Sequence, residues 1–201
     1  MPNNRFSAVQ LTLLSVIVAL ILENLLNQFS DESLGWSAVL PWLQSASVAI
    51  TVVSVWSGFA LILTTSERKP EAVDFIYPFG LLITLTLAAN SLGHAQLTKF
   101  FVFLCLGGLF ACWALRTELL DLEPGSAAAN GVGRALYIQA ASATLCLIMT
   151  LLLIASSPPQ AVVIFALVIA VILPITAALG TMRGWRSISE GANSGLDTQS
   201  S

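Results

Sequence analysis

Charge is the scarcest commodity in this sequence. Lys, Arg, Asp and Glu supply 9% of the 201 residues, where a soluble domain carries about 25%. A water-soluble fold with so few charges would expose an apolar exterior and aggregate. Histidine occurs once, at His94, which excludes a multi-histidine metal site within one chain. The eight Lys and Arg residues form no cluster of the kind that neutralises phosphates, so nucleic acid is excluded as a partner. Cysteine occurs three times, at Cys105, Cys112 and Cys146, always inside an apolar run. An odd count in that setting excludes a secreted disulfide framework and marks small packing residues. Catalytic signatures are missing too: no H-E-x-x-H, no G-x-S-x-G, no phosphate-binding glycine loop and no Cys/His metal spacing. The acidic run Glu118, Asp121 and Glu123 reads as a solvated helix end. The expectation is a protein that is not an enzyme and uses no cofactor and no metal.

What the chain has instead is long apolar runs. Hydrophobic residues make up 56% of it, and the mean hydropathy is +0.85. Six segments, 6–28, 38–64, 75–96, 98–117, 134–156 and 159–182, are each near the ~20 residues of helix that cross a hydrocarbon core. A backbone in lipid must satisfy its own hydrogen bonds, and these runs are too long and uniform for barrel strands. Arg5 and the run from Phe6 to Leu22 have the look of a signal peptide, but no small-x-small cleavage pattern follows. A retained first helix is therefore expected. The fold class is all-α, a polytopic membrane protein with six transmembrane helices.

Orientation follows from the few cations. With the N-terminus inside and six crossings, Arg5, Arg68, Lys69, Arg116, Arg134, Arg183 and Arg186 fall on the inner side and only Lys99 outside. Both termini are then cytoplasmic, in the inner membrane of a bacterial-type cell. One membrane domain, 1–183, is expected. Within it, residues 1–118 hold the first three-helix unit and the start of the second, 119–133 a cytoplasmic linker, and 134–183 helices five and six. The polar residues 184–201 read as a disordered tail.

The two sides of the linker show traces of a repeat. An offset of 95 aligns Glu23 with Glu118, and Gln44, Ala46 and Ser47 with Gln139, Ala141 and Ser142. Three spans per half would make it a 3+3 inverted repeat, as in many secondary transporters. Helix two carries Gln44, Ser47, Thr51 and Ser54 at spacings of three and four, and helix five carries Gln139, Ser142, Cys146 and Thr150. On a helix each set shares one face. Amides and hydroxyls in lipid turn toward other helices or a hydrated path. Either they line a path or they simply tie helices together.

Helix one offers a further face with Thr12, Ser15, Ala19, Glu23 and Asn27. An ionisable residue in a span is a functional candidate, although Glu23 lies near enough to the outer rim to reach water. Asn90 and His94 sit four apart at the outer end of helix three, and Pro78 and Pro174 fall inside helices three and six, where proline frees a carbonyl and kinks the helix. The expected path-lining or ligand-binding residues are thus Glu23, Asn27, Gln44, Ser47, Thr51, Asn90, Gln139 and Ser142. The function expected is a small transporter or channel-like permease for an ion or small polar solute. The alternative is a non-catalytic accessory or assembly subunit. Partners are the lipid bilayer and further copies of the chain or other membrane subunits.

Overall fold

The computed structural model describes residues 3–30, 39–65, 73–121, 125 and 127–197. Six helices account for almost all of them: α1 (Asn3–Ser30), α2 (Val39–Thr65), α3 (Val73–Ala89), α4 (Leu97–Asp121), α5 (Ala127–Ala155) and α6 (Gln160–Asp197). No strand occurs among the described residues. Five of the helices are long and apolar enough to cross a membrane, which makes this a polytopic membrane protein of all-α class. The sixth, α3, has 17 residues, a length of about 26 Å at 1.5 Å per residue, at the lower limit for a span.

Two expectations about the segments between and after the spans need correction. The linker placed at 119–133 shrinks, because α4 continues to Asp121 and α5 begins at Ala127. The Ala-rich stretch Ala127-Ala128-Ala129 favours helix strongly enough to extend the span. Likewise the tail is not irregular from 184 onward: α6 runs as one helix to Asp197. Adding a residue to an existing helix costs far less than nucleating one, so polar composition alone does not end it. Ser156 to Pro159 does form a tight connection, and the Pro159 carbonyl accepts the backbone N–H groups of Val162 and Val163 at the start of α6. The charged connection at 66–72 and the loop at 31–38 lie outside the described residues.

The packing order is set by close backbone approach. Helix α4 lies between α3 and α5, α2 packs on α6, α5 also on α6, and α1 on α2 and α3. On the α4 side of Gly108, an added Cβ would come within 2.9 Å of Ala143 Cβ and 3.3 Å of Ala143 Cα, so α4 and α5 nearly touch there. Across the α3–α4 contact, Gly107 of α4 abuts the Thr84 hydroxyl and Gly80 of α3 abuts the Phe110 ring, each at under 3 Å from an ideal Cβ. Lipid supplies no hydrophobic drive between helices, so small residues that let backbones meet take its place. The interior is filled by Ile21 and Leu25 of α1, Val48 and Val52 of α2, Leu82 and Leu85 of α3, Phe100 and Phe101 of α4, and Leu167 of α6. Leu147, Ile148, Leu151 and Ile154 of α5 and Phe165 of α6 are exposed, as a lipid-facing surface requires.

This arrangement does not exchange under the operation an inverted repeat would impose. If α1–α3 corresponded to α4–α6, the extensive α2–α6 contact would have an equal in α5–α3, and the α3–α4 contact an equal in α6–α1. Neither counterpart is comparable among the described residues. Any ancestry shared by the halves is not expressed as symmetric packing.

Candidate functional site

Polar side chains inside the bundle collect in two places. The first is the end at which α1 finishes, α2 starts, and α3 turns into α4. Helix α3 closes with Asn90 N–H on the Thr86 carbonyl and Ser91 N–H on the Ala88 carbonyl. The chain then passes through Gly93, whose φ of 97° is a left-handed conformation that only glycine adopts without steric cost. A short 3₁₀ turn, His94–Gln96, leads into α4. Fully buried Gln44 reaches this turn from α2, and its Oε1 accepts the Gly93 N–H at 2.8 Å. That bond orients the amide, leaving Gln44 Nε2 buried without a hydrogen-bond partner, and the neighbouring Ser45 Oγ is in the same position. From the other side, Asn24 Nδ2 of α1 donates to Asn90 Oδ1 at 2.8 Å, and Gln28 Nε2 approaches Asn24 Oδ1 at 3.4 Å and Asn90 Oδ1 at 3.5 Å. The α3–α4 turn is thus held by α1 and α2 at once.

The second place is the middle of the bundle, where five helices, α2 to α6, enclose a cavity of about 20 Å³, room for one water-sized guest. Thr51 of α2, Gln139 and Ser142 of α5, and Pro174 of α6 line it with Gly107 and Gly108 of α4. The α2 hydroxyls turn back on their own helix: Ser47 donates to the Gln44 carbonyl at 2.8 Å and Thr51 to the Ser47 carbonyl at 2.6 Å. Such bonds occupy the hydroxyl's one O–H donor and leave its oxygen lone pairs able to accept. Ser54 lies 2.7 Å from the Ile50 carbonyl and 3.0 Å from the Pro174 carbonyl of α6, sharing its proton between the two and tying α2 to the proline turn. Pro174 has no N–H for the carbonyl of Ala170 four residues earlier, and Ala170 also lines the cavity. The remaining walls are apolar, and no Lys, Arg, His, Asp, Glu or Cys lines them.

The eight residues singled out by spacing therefore part company. Thr51, Gln139 and Ser142 meet in the central cavity. Gln44 and Ser47 are wholly buried, but Gln44 serves the α3–α4 turn. Asn90 belongs to the amide cluster with Asn24 and Gln28. Glu23 and Asn27 stand on the exposed side of α1 with Thr12 and Ala19, because the face carrying Leu14, Ile21 and Leu25 is the one that packs. Ser15 is the exception on that set, accepting a hydrogen bond from Trp56 Nε1 at 3.0 Å. His94 is exposed in the turn, and among the described residues no group of three His, Cys, Asp or Glu side chains could hold a metal ion.

Several participants were not singled out from the sequence. Asn24 and Gln28, four apart, carried a usable signal: two amides on one helical face beside Glu23. The Gly107-Gly108 pair in the middle of an apolar span also carried one. Nothing local pointed to Gly93 as the acceptor-seeking backbone group that captures Gln44. Compared with known protein families, with curated proteins and with solved structures, the chain matches none.

Proposed function

We propose that this is a multi-pass membrane permease for an ion or small polar solute, with its binding point at the cavity between α2 and α6. The observation that carries this reading is the meeting of Thr51, Gln139 and Ser142 from two separate helices at one interior point beside the Pro174 turn. Polar groups are costly in a span unless they serve packing or passage, and these three border a cavity in place of closing on one another. Proline inside an apolar helix is a recurrent pointer to transporter sites, and α6 carries Pro174 inside its span without breaking. Seven of the eight basic residues fall on one side if both termini are cytoplasmic, and that orientation in a cell membrane is part of the proposal.

A flux assay tests it. Purified protein in liposomes, with a panel of ions and small neutral solutes, is expected to pass at least one of them. The variant Gln139→Leu is expected to lose on the order of tenfold in rate, the worth of one buried hydrogen bond to the solute. Gln44→Leu, whose amide is committed to Gly93, is expected to lose much less. Absence of flux for every solute, from folded protein, would refute the permease reading.

A second reading has one observation in its favour. Glu23 and Asn27 face outward from α1, where a partner subunit would meet them, as an accessory or assembly role requires. Extraction of native membranes in polymer-bounded nanodiscs would support it only if a defined second subunit accompanied the chain and was lost on Glu23→Leu.

A further inference from the structure

We propose that two copies of this chain pair through the face formed by α1, α3 and α4, setting Glu23 of each copy against Lys99 of the other. The pairing stands whether or not the chain transports anything.

The face is built around α3. This helix meets α4 through Gly80 and Thr84 and α1 through the Asn90 amide. Between those contacts its stripe Ile76, Ile83 and Leu87 is exposed. Trp113 of α4, itself exposed, continues the stripe and stacks edge-on against Tyr77 of α3. The apolar stretch Ile76–Ala89 is also short, roughly 21 Å at 1.5 Å per residue, against a hydrocarbon core of about 30 Å. Association with another span is one of the ways a short span relieves that mismatch.

Charge then selects a second copy as the partner. Among the described residues, the end of the bundle where α3 turns into α4 carries one carboxylate, Glu23, and one lysine or arginine, Lys99. Both are exposed, and among the described residues neither has an ion-pair partner within the chain. They also lie at similar depth. The Asn24–Asn90 bond sets Glu23 level with Ala89, and the contact of Gly107 with Thr84 sets Lys99 level with Leu92. The two charges thus differ in depth by about one helical turn or less. Glu23 stands on the α1 side of the α3 stripe and Lys99 on the α4 side. A two-fold axis along the membrane normal, passing beside that stripe, brings α1 of each copy opposite α4 of the other. Both copies keep the same orientation in the bilayer, and the surface is self-complementary. Each dimer gains two ion pairs, and no like charges meet.

Cysteine cross-linking of purified protein in liposomes reads this out. In a background with Cys105, Cys112 and Cys146 replaced by alanine, Ile83→Cys marks the axis and Ile148→Cys the exposed side of α5. Copper phenanthroline is expected to join Ile83→Cys copies into a dimer on a denaturing gel and to leave Ile148→Cys monomeric. Added to Ile83→Cys, either Glu23→Lys or Lys99→Glu alone puts like charges in both contacts. Each is expected to weaken association about tenfold, because two pairs turn into two repulsions. Mixing the two charge-reversed proteins restores both pairs between chains and is expected to restore the cross-link. No dimer with Ile83→Cys, an equal yield with Ile148→Cys, or no recovery on mixing of folded variants would overturn the proposal. The comparison of Ile83→Cys with Ile148→Cys keeps both charges in place, so it decides the face even where a reversed variant fails to fold. In native membranes, an Ile83→Cys adduct of any mass other than twice that of the chain would give the face to a different subunit and likewise overturn it.

Discussion

Gly108→Ala is expected to lower stability by about 1–3 kcal/mol, the usual range for overpacking, even though alanine is the better helix former by up to about 1 kcal/mol. The sign is decided by what the new methyl would meet. On α4 it would lie 2.9 Å from Ala143 Cβ, with Ala143 Cα at 3.3 Å and its backbone nitrogen at 3.5 Å. None of these belongs to a side chain that can swing aside, so two helices must separate along their closest contact. Gly131→Ala makes the control. Its Cβ would meet nothing within 4 Å, and propensity alone should leave it neutral or slightly stabilised. Reversible unfolding in mixed detergent–SDS micelles measures both. Equal midpoints for Gly108→Ala and Gly131→Ala would mean that α4 and α5 do not meet at Gly108.

Phe100→Ala should be comparably damaging for the opposite reason. Phe100 is completely buried and meets Phe101 edge-on, with ring centroids 5.6 Å apart and planes at 84°. In a water-soluble core such a truncation costs about 3–5 kcal/mol, part of it for transfer out of water. Lipid removes most of that transfer contribution, because an unfolded helix in the bilayer is already in an apolar medium. The lost dispersion contacts remain, and a loss of about 2–3 kcal/mol is expected. Ile148→Ala, on the exposed side of α5, trades lipid contact for lipid contact and should change stability by well under 1 kcal/mol. The same SDS titration distinguishes them, and equal effects would mean that Phe100 faces lipid.

How far the chain could be read without its structure depended on how strongly lipid constrains each feature. The class was legible because a bilayer dictates span length and helical backbone. The polar spacings on α2 and α5 implied side chains turned away from lipid. Gln44, Ser47 and Ser54 are buried, as are Cys146 and Thr150, since amides and hydroxyls at mid-span have nowhere else to go. Glu23 and Asn27 of the α1 set are exposed, because they lie toward the end of the helix, where water is within reach. With apolar residues all round that helix, only shape chooses the packing face, and shape is not periodic in hydropathy. Gln44 and Gln139 share a register in sequence but not a task. One is captured by Gly93 forty-nine residues away, and the other borders the cavity. A tertiary partner so distant, presented by a single positive-φ glycine, leaves no local trace.

Thiol labelling at position 142 asks most directly whether the Gln139–Ser142 face of α5 borders a hydrated path. In a background with Cys105, Cys112 and Cys146 replaced by alanine, Ser142→Cys and Ile148→Cys are introduced one at a time into protein reconstituted in liposomes. Silver ion, which is monatomic, charged and thiol-reactive, is expected to modify the first variant and to leave the second, lipid-facing one untouched. Two equally unreactive positions would contradict a path through the bundle and leave α5 as packing alone.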